Sequence, residues 1–228
     1  MAASGGISSQ IRRLIPVSIG SLLVRPGTAR IEEKRWDEEY MHGKWSNLDS
    51  LFEMPRYAVI AGYCRRTADQ EPVSVLDIGC GNGLLHHWLS LDGTAGRYLG
   101  VDMSSAAINQ ARVRVGPGVN GRTRFVVGDA EHFTPDAGER FDVIVLNEML
   151  YYLDFPEKLV ERCADFLAPG GVILLSMWRS PRALATWRRA APLLEVQDEV
   201  RLRRSRDSNG RPTRKAEWHI RLCRLRTA

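Results

Sequence analysis

The chain has 228 residues, of which 44% are hydrophobic and 26% are charged, and its formal net charge is +5. These values favour one globular domain and exclude a disordered class. The apolar runs have the length of strands, well short of the roughly 20 residues of a membrane helix, so we expect no membrane partner. Residues 201–228 hold ten basic side chains and two acids, so the positive charge belongs to this segment.

The N-terminal 30 residues differ in composition from the rest of the chain. They contain four arginines, several serines and no acid, and they precede the charged run EEKRWDEEY. Pro16 and Gly20 interrupt the apolar stretch, so we predict a flexible arm rather than a targeting segment, followed by a single domain over 31–228. The four cysteines form no C-x-x-C pair, which predicts reduced thiols, no metal site and a cytoplasmic protein.

Strand-like runs alternate with helical patterns through the middle of the chain. Two helices come first, at 31–42 and 54–66, and Pro55 suits the first turn of the second. Repeated strand, helix, strand units predict a parallel sheet with helices on both faces. The five strand-like runs of this core are 73–78, 97–101, 123–127, 141–146 and 171–177.

The C-terminal pattern predicts a hairpin. After a helix near 180–191, strand-like runs at 196–204 and 216–225 flank DSNGRP, in which Asn209-Gly210 is a hairpin signal. Two antiparallel strands are therefore expected at one edge of the sheet. Arginines on an edge strand ordinarily discourage pairing with another sheet. The alternative is that this arginine-rich hairpin docks nucleic acid or another polyanion.

The sequence VLDIGCGNG at 75–83 ends the first predicted strand in a glycine-rich turn. A dinucleotide site requires a third glycine where this chain has Leu84, although Gly79 and Gly81 fit the pattern. Asp77 lies just before the turn, where its carboxylate would repel a pyrophosphate and attract a cation. The turn therefore indicates a ligand with a positive charge close to the glycines.

Acids also end the next two predicted strands. Asp102 ends RYLGVD, where an open α/β sheet places a carboxylate against ribose hydroxyls, and Asp129 lies in FVVGDAEHF. An adenosine explains both acids, with the adenine amine at Asp129 and the backbone of Ala130. A ligand with adenine, ribose and an ammonium group but no phosphate is S-adenosylmethionine, which we predict as the cofactor.

From about Ile31 to Leu225 the sequence resembles the class I S-adenosylmethionine-dependent methyltransferases. The resemblance is carried by VLDIGCGNG, VDMS, GDAEHF, FDVIVLNEMLYYL and LAPGGVILLS, in this order and spacing. It implies a Rossmann-like α/β fold with a seven-stranded, mostly parallel sheet of order 3-2-1-4-5-7-6 and a C-terminal antiparallel hairpin. It also implies methyl transfer by direct displacement, with no covalent protein intermediate.

The resemblance also implies which residues hold the cofactor. Asp77 would contact the methionyl amino group, Asp102 the ribose, and Met103 one face of the adenine. Arg56 suits the methionine carboxylate, whereas Tyr40 and Trp45 either close over the cofactor or merely pack the leading helices on the sheet. The complete set of expected cofactor-binding residues is Tyr40, Arg56, Asp77, Gly79, Gly81, Gly83, Asp102, Met103, Asp129, Ala130 and Asn147.

The acceptor is expected to bind after the fourth strand. There Glu148 is the first candidate for a general base, with Tyr151 as a hydrogen-bond donor or pocket wall beside Tyr152, whereas His42 and His132 are weaker candidates. The NEML sequence lacks the Asn/Asp-Pro-Pro-aromatic motif of base-amine methyltransferases. We therefore predict a small-molecule acceptor, such as a sugar or secondary metabolite, methylated on a hydroxyl or an amine, and not a nucleic acid.

Overall fold

The computed structural model describes residues 33–67, 72–91, 93–116, 121–207, 209–212 and 216–226. The predicted N-terminal arm lies outside these ranges. The helices of the described residues are α1 (Glu33–Met41), α2 (Met54–Thr67), α3 (Leu84–Ser90), α4 (Ser105–Val115), α5 (Pro156–Arg162) and α6 (Pro181–Ala190). The strands are β1 (Val73–Ile78), β2 (Ala95–Asp102), β3 (Thr123–Val127), β4 (Phe141–Asn147), β5 (Leu167–Trp178), β6 (Leu194–Arg203) and β7 (Glu217–Leu225).

The seven strands form one sheet in the order β3-β2-β1-β4-β5-β7-β6. Strands β1 to β5 are parallel to one another, and β7 is antiparallel to both β5 and β6. The predicted fold and strand order are therefore confirmed. Among the described residues, none of the helices combines the length and the apolar composition that a membrane crossing requires.

Both faces of the sheet are covered, which explains the nearly continuous apolar runs of the central strands. Along β1, Val75 packs with Ile60 of α2 and Leu85 of α3 in one core cluster. The next residue, Leu76, belongs to the opposite cluster together with Val160 of α5. Successive side chains point to opposite faces, so a strand covered on both sides has no solvent-facing polar alternation.

Strand β5 begins four residues before its predicted start. Leu167 already pairs with Phe141, and regular pairing resumes at Val172 with Val143 after a register shift. Gly170 lies between these pairs with φ of 77°, a left-handed conformation that glycine adopts without steric cost. The Pro169-Gly170-Gly171 sequence therefore forms an irregularity inside the strand and not its N-terminal boundary.

The C-terminal hairpin extends the sheet as predicted, and its tip lies at the edge where the parallel strands end. Trp218 of β7 pairs with Trp178 at the carboxyl end of β5, and Glu217 pairs with Arg203 of β6. Because β7 runs opposite to β5, the connection between β6 and β7 leaves the sheet at this edge. Gly210 has φ of 76° in that connection, consistent with the Asn-Gly turn signal.

Trp218 anchors this hairpin to the core, with 1% of its surface exposed. Its ring centroid lies 4.6 Å from that of Trp178 and 5.1 Å from that of Phe52. We expect Trp218→Ala to lower the free energy of unfolding by about 3 to 5 kcal/mol in urea titrations, through lost burial and the cavity left behind. Val196→Ala on the exposed surface of β6 is the control and should change it by about 0.5 kcal/mol or less. Equal effects of the two substitutions would contradict this anchoring role.

Candidate active site

The polar strand ends meet at the carboxyl edge of the sheet, between β1, β2 and β4. Asp77 lies near the end of β1, Asp102 ends β2 and Asn147 ends β4. Parallel neighbours bring these positions together because their carboxyl ends share one edge, where open α/β sheets bind ligands. The structure therefore gathers most of the predicted cofactor residues in one crevice.

The three glycines after β1 all have left-handed backbones, with φ of 76° at Gly79, 54° at Gly81 and 74° at Gly83. Close neighbours also leave no room for a side chain at any of them, and a Cβ on Gly83 would lie 2.9 Å from Cβ of Ala111. A Cβ on Gly79 would lie 2.7 Å from Cβ of Met149, and one on Gly81 would lie 2.5 Å from the Tyr40 hydroxyl oxygen. The glycines thus keep the turn narrow enough for its neighbours to close on it.

Asp77 is a buried carboxylate with one satisfied oxygen. Its side chain is 2% exposed, and its Oδ2 accepts a hydrogen bond from the Tyr98 hydroxyl. Its Oδ1 is buried and has no hydrogen-bond partner among the described residues. Burial raises the Asp77 pKa to about 7, and the nearby Asp102 adds to this, while Tyr98 and Arg56 oppose it. The unpaired oxygen marks a place for a hydrogen-bond donor, preferably a cation.

Arg56 lies close enough to Asp77 to affect its pKa, and it is 2% exposed. Its Nη2 donates to Glu53 Oε2 at 2.7 Å and its Nε to the same oxygen at 3.2 Å. Its Nη1 donates to Oδ1 of Asn147. A guanidinium has five N–H groups, so two remain for another acceptor. Arg56 and Asn147 thus form one hydrogen-bonded unit beside Asp77.

Asp102 connects the glycine turn to the start of α4. Its Oδ2 accepts the Gly81 N–H at 2.9 Å, and its Oδ1 accepts the Ser104 N–H at 2.9 Å. Burial raises the Asp102 pKa, and these two backbone donors oppose the shift. Met103, between Asp102 and Ser104, is half-buried in the same turn.

Asp129 and Ala130 lie after β3, on the turn that borders the crevice beyond β2. The Asp129 carboxylate accepts the Glu131 N–H at 3.0 Å and lies 2.9 Å from Nδ1 of His132. The Ala130 carbonyl accepts a hydrogen bond from Arg162 at 3.3 Å. The structure therefore shows what shapes this turn, and adenine recognition by it stays a prediction.

Glu148 follows β4 with φ of 58°, the one left-handed non-glycine residue of the described chain. Its Oε2 accepts the Tyr151 hydroxyl at 2.8 Å and the Trp178 N–H at 3.1 Å, and its Oε1 accepts the Ser176 hydroxyl at 3.1 Å. Burial raises the Glu148 pKa, opposed chiefly by Arg56 and by the Tyr151 hydrogen bond. These three donors fix the orientation of the Glu148 carboxylate, and the Tyr151 hydroxyl is one of them.

Aromatic rings from α1 and its flanking turn cover the crevice. The Trp36 ring stacks on Trp45 at 5.7 Å and meets the edge of Tyr152 at 5.0 Å. Tyr40 lies 6.0 Å from Trp45 and places its hydroxyl against Gly81. Tyr40 and Trp45 therefore pack together beside the glycine turn, and closure over the cofactor stays a prediction for both.

The hairpin arginines are largely engaged within the sheet. Arg203 contacts Glu217 at 2.8 Å, and Arg201 contacts Glu199 at 2.6 Å. Arg221 also contacts Glu199 at 2.6 Å. Two of these pairs join β6 to β7 and one lies within β6, which matches the ordinary edge-strand role of the arginines better than a free polyanion dock. In the described part of the chain, no group of His, Cys, Asp and Glu side chains has the makeup of a metal site.

A family model described as a methyltransferase domain matches residues 53–210. The chain belongs to this methyltransferase family. A curated relative, the ubiquinone biosynthesis O-methyltransferase of Stutzerimonas stutzeri (strain A1501), is 34% identical over 113 residues. That match covers 49% of this chain and 47% of the relative. The chain therefore spans about half the length of this curated relative.

Solved structures share the fold at low identity. The N-methyltransferase NodS from Bradyrhizobium japonicum WM9, in complex with S-adenosyl-L-homocysteine, aligns with a TM-score of 0.67 at 20% identity, over 86% of this chain and 98% of NodS. The 1,6-didemethyltoxoflavin-N1-methyltransferase from Burkholderia thailandensis aligns with a TM-score of 0.65 at 18% identity, over 86% and 87% of the two chains. Both comparisons confirm the methyltransferase-type fold.

The sequence patterns did not predict three residues that hold the expected site residues in place. Tyr98 supplies the hydrogen bond to Asp77, Ser104 links Asp102 to α1, and Glu53 holds Arg56. A signal for Tyr98 does exist, because the two-residue period of β2 places Tyr98 and Asp102 on the same face of the strand. The Glu53–Arg56 pair also has a signal, because the two residues are three apart at the start of α2, a spacing that brings opposite charges together.

The raised Asp77 pKa predicts a pH dependence of stability. The folded state keeps a proton on Asp77 up to about pH 7, whereas the unfolded chain loses it near the ordinary aspartate value of 3.8. Asp77 therefore lowers the free energy of unfolding as the pH rises through this interval, and the loss is complete above it. Between pH 5 and pH 8, the free energy of unfolding of Asp77→Asn should rise relative to that of the wild type by at most about 2 to 3 kcal/mol. One pKa unit corresponds to about 1.4 kcal/mol.

Urea unfolding of both proteins at pH 5 and pH 8 measures this change. Asp136→Asn, on the exposed surface of the loop before β4, is the matched control, and its difference from the wild type should be the same at both pH values. A difference in the free energy of unfolding between Asp77→Asn and the wild type that stays constant with pH would contradict the raised pKa.

Proposed function

We propose that this chain is an S-adenosylmethionine-dependent methyltransferase that methylates a hydroxyl or an amine of a small molecule. The observation that carries the proposal is the buried, unpaired Oδ1 of Asp77 beside the glycine turn. Membership of the methyltransferase family supports the reaction class. When bound, S-adenosylmethionine supplies a methyl group on a positively charged sulfur, ready for direct displacement.

The residues of the crevice fit the methionyl part of this cofactor. The Asp77 Oδ1 needs a donor, and the ammonium group provides a charged one. On the other side, Arg56 has two N–H groups left after its bonds to Glu53 and Asn147, which match a carboxylate. An α-amino acid carries both groups, so one ligand end would satisfy both residues.

The second half of the cofactor would lie toward β2. Each oxygen of the Asp102 carboxylate accepts a single backbone N–H in the structure. A carboxylate has about four lone-pair sites, so Asp102 can still accept two ribose hydroxyls. Met103, Asp129 and Ala130 remain the expected adenine neighbours, and the narrow glycine turn gives the ligand close access to the backbone.

The acceptor side is the aromatic wall formed by Trp36, Tyr151 and Tyr152. Such rings suit a small organic acceptor, because they offer apolar area together with hydroxyl groups. The relatives include a ubiquinone biosynthesis O-methyltransferase and two N-methyltransferases, one of them named for 1,6-didemethyltoxoflavin. They support a small acceptor and leave both oxygen and nitrogen as acceptor atoms.

Glu148 and Tyr151 form the proton-accepting pair of this proposal. An acceptor hydroxyl or protonated amine must lose a proton to attack. The Tyr151 oxygen would take that proton as its own proton passes to Glu148 Oε2 along the existing 2.8 Å hydrogen bond. Burial raises the Glu148 pKa, which makes its carboxylate a better base than an exposed one. The aromatic wall excludes water from the pair.

Asp102→Asn tests the cofactor assignment. Asparagine keeps one acceptor oxygen and replaces the other with an NH2 donor, so one backbone hydrogen bond and part of the ribose contacts are lost. We therefore expect calorimetry to show at least about tenfold weaker binding of S-adenosylhomocysteine, or about 1.4 kcal/mol. Asp136→Asn is the matched surface control and should bind like the wild type. Unchanged affinity in Asp102→Asn would remove the ribose assignment, and a wild type without measurable binding would end the proposed function.

Glu148→Gln and Tyr151→Phe test the proton-accepting pair. Both should lower turnover by about 100-fold or more, with S-adenosylhomocysteine affinity within about threefold of the wild type. Acceptors are first found by incubating cell extract with labelled cofactor and identifying the labelled product. Glu161→Gln, on the exposed face of α5, is the control. A fully active Tyr151→Phe protein would contradict proton transfer through Tyr151, and a fully active Glu148→Gln protein would leave Glu148 with a structural role only.

A further inference from the structure

We infer that Asp37 is a positioning residue that latches helix α1 over the cofactor site and thereby slows cofactor release. The ligand in this inference is the cofactor of the proposed function, so the inference rests on that function. Asp37 lies on α1, outside every motif by which the family resemblance was drawn, and its contacts are all to the start of α4.

Three hydrogen bonds form the latch. The Asp37 Oδ1 accepts the Ser104 hydroxyl at 2.6 Å and the Ala106 N–H at 3.0 Å, and its Oδ2 accepts the Ser105 hydroxyl at 3.0 Å. The Ala106 N–H belongs to the first turn of α4, where backbone donors have no partner within the helix and favour an anion. One side chain of α1 thus satisfies three donors of α4.

The latch is continuous with the predicted ribose acid. Ser104 is fully buried, and its N–H donates to Asp102 Oδ1 at 2.9 Å. Asp102 in turn accepts the Gly81 N–H through its other oxygen. The chain of contacts from Asp37 through Ser104 and Asp102 to Gly81 therefore joins α1 to the glycine turn. A shift of α1 would therefore displace Asp102, the residue expected to hold the ribose.

Asp37 also sets the position of Tyr40. The two residues are three apart on α1 and share one face of the helix. While the latch is formed, the Tyr40 hydroxyl lies against Gly81, at the point where a Cβ would be 2.5 Å away. The Tyr40 carbonyl accepts a second, longer bond from Gln110 of α4 at 3.4 Å. Asp37 therefore fixes α1 to the start of α4, and Tyr40 on the same helix covers the glycine turn.

Apart from the latch, α1 is held by the ring contacts of Trp36 and Tyr40 and by the Gln110 bond to the Tyr40 carbonyl. None of its residues is fully buried, so hydrophobic burial holds it less firmly than a core helix. Elements with few buried contacts open locally at low free energy, which lets a ligand enter beneath them. Because the charged Asp37 bonds are stronger than neutral ones, their loss should shift α1 toward the open arrangement. The cofactor would then leave faster, while its entry would change little.

Asp37→Ala is the main test, with Glu38→Ala as the matched control. Glu38 lies next to Asp37 on the same helix, and its carboxylate has no hydrogen bond or ion pair among the described residues, so its removal deletes the same charge without the latch. Stopped-flow tryptophan fluorescence, reporting on Trp36 and Trp45, gives the dissociation rate of S-adenosylhomocysteine after displacement by excess S-adenosylmethionine. We expect roughly a tenfold faster rate for Asp37→Ala, or about 1.4 kcal/mol, and a wild-type rate for Glu38→Ala.

Ser105→Ala removes one of the three donors and is the milder variant. It should raise the dissociation rate about threefold. In the double variant with Asp37→Ala it should add nothing further, because the partner is already gone. The association rate and the midpoint of urea unfolding should stay close to wild type in all of these proteins, since α1 contributes no buried residue.

Trypsin cleavage without any ligand separates the two proposals. Asp37→Ala should be cleaved faster than the wild type and Glu38→Ala at Lys34, Arg35 and Lys44, whether or not the cofactor assignment is correct. If the wild type fails to bind S-adenosylhomocysteine but this difference is seen, the function fails and the latch stands as a structural contact. If cofactor binding is normal and both the cleavage and dissociation rates of Asp37→Ala equal those of Glu38→Ala, the latch is wrong and the function stands.

Discussion

The Asp102 carboxylate is the contact on which the geometry of the site depends. Strands β1 and β2 bring their ends to one edge, but strand pairing alone does not fix the loops after them. Asp102 does so by accepting the Gly81 N–H from one loop and the Ser104 N–H from the next, both at 2.9 Å. Ser104 extends the connection to Asp37, so a single acid between two loops orders the glycine turn, the start of α4 and the helix above them.

The crevice keeps buried charge that the fold does not need. Asp77 and Arg56 are each 2% exposed, and burial of Asp77 raises its pKa to about 7. Well-packed apolar residues in such positions are often neutral or stabilising in comparison with buried charges. The unpaired Asp77 oxygen is more costly still, because no hydrogen bond offsets its desolvation. Residues that weaken a fold in this way indicate binding, which supports a cationic ligand at Asp77.

Sequence patterns predicted what depends on local periodicity. The apolar runs located every strand, Asn209-Gly210 located the hairpin, and the acids at strand ends located the crevice. Contacts between distant residues were not predictable in this way. Asp37 and Ser104 are 67 positions apart, and Arg56 and Asn147 are 91 apart, so their pairing depends on how the helices dock on the sheet. The early start of β5 was missed for another reason, because its Pro-Gly-Gly sequence resembles a turn.

In the proposed function, the cofactor and acceptor halves of the site share one cover. Glu148 adopts φ of 58°, a conformation that is uncommon for a residue with a side chain and is retained here by three hydrogen-bond donors. The turn after Glu148 directs Tyr152 toward Trp36, whose ring lies 5.0 Å away on α1. One helical turn further along α1, Tyr40 covers Gly81 on the cofactor side. In the proposed function, docking of α1 would therefore complete both halves at once, and water would be excluded from the acceptor only when the cofactor is also enclosed.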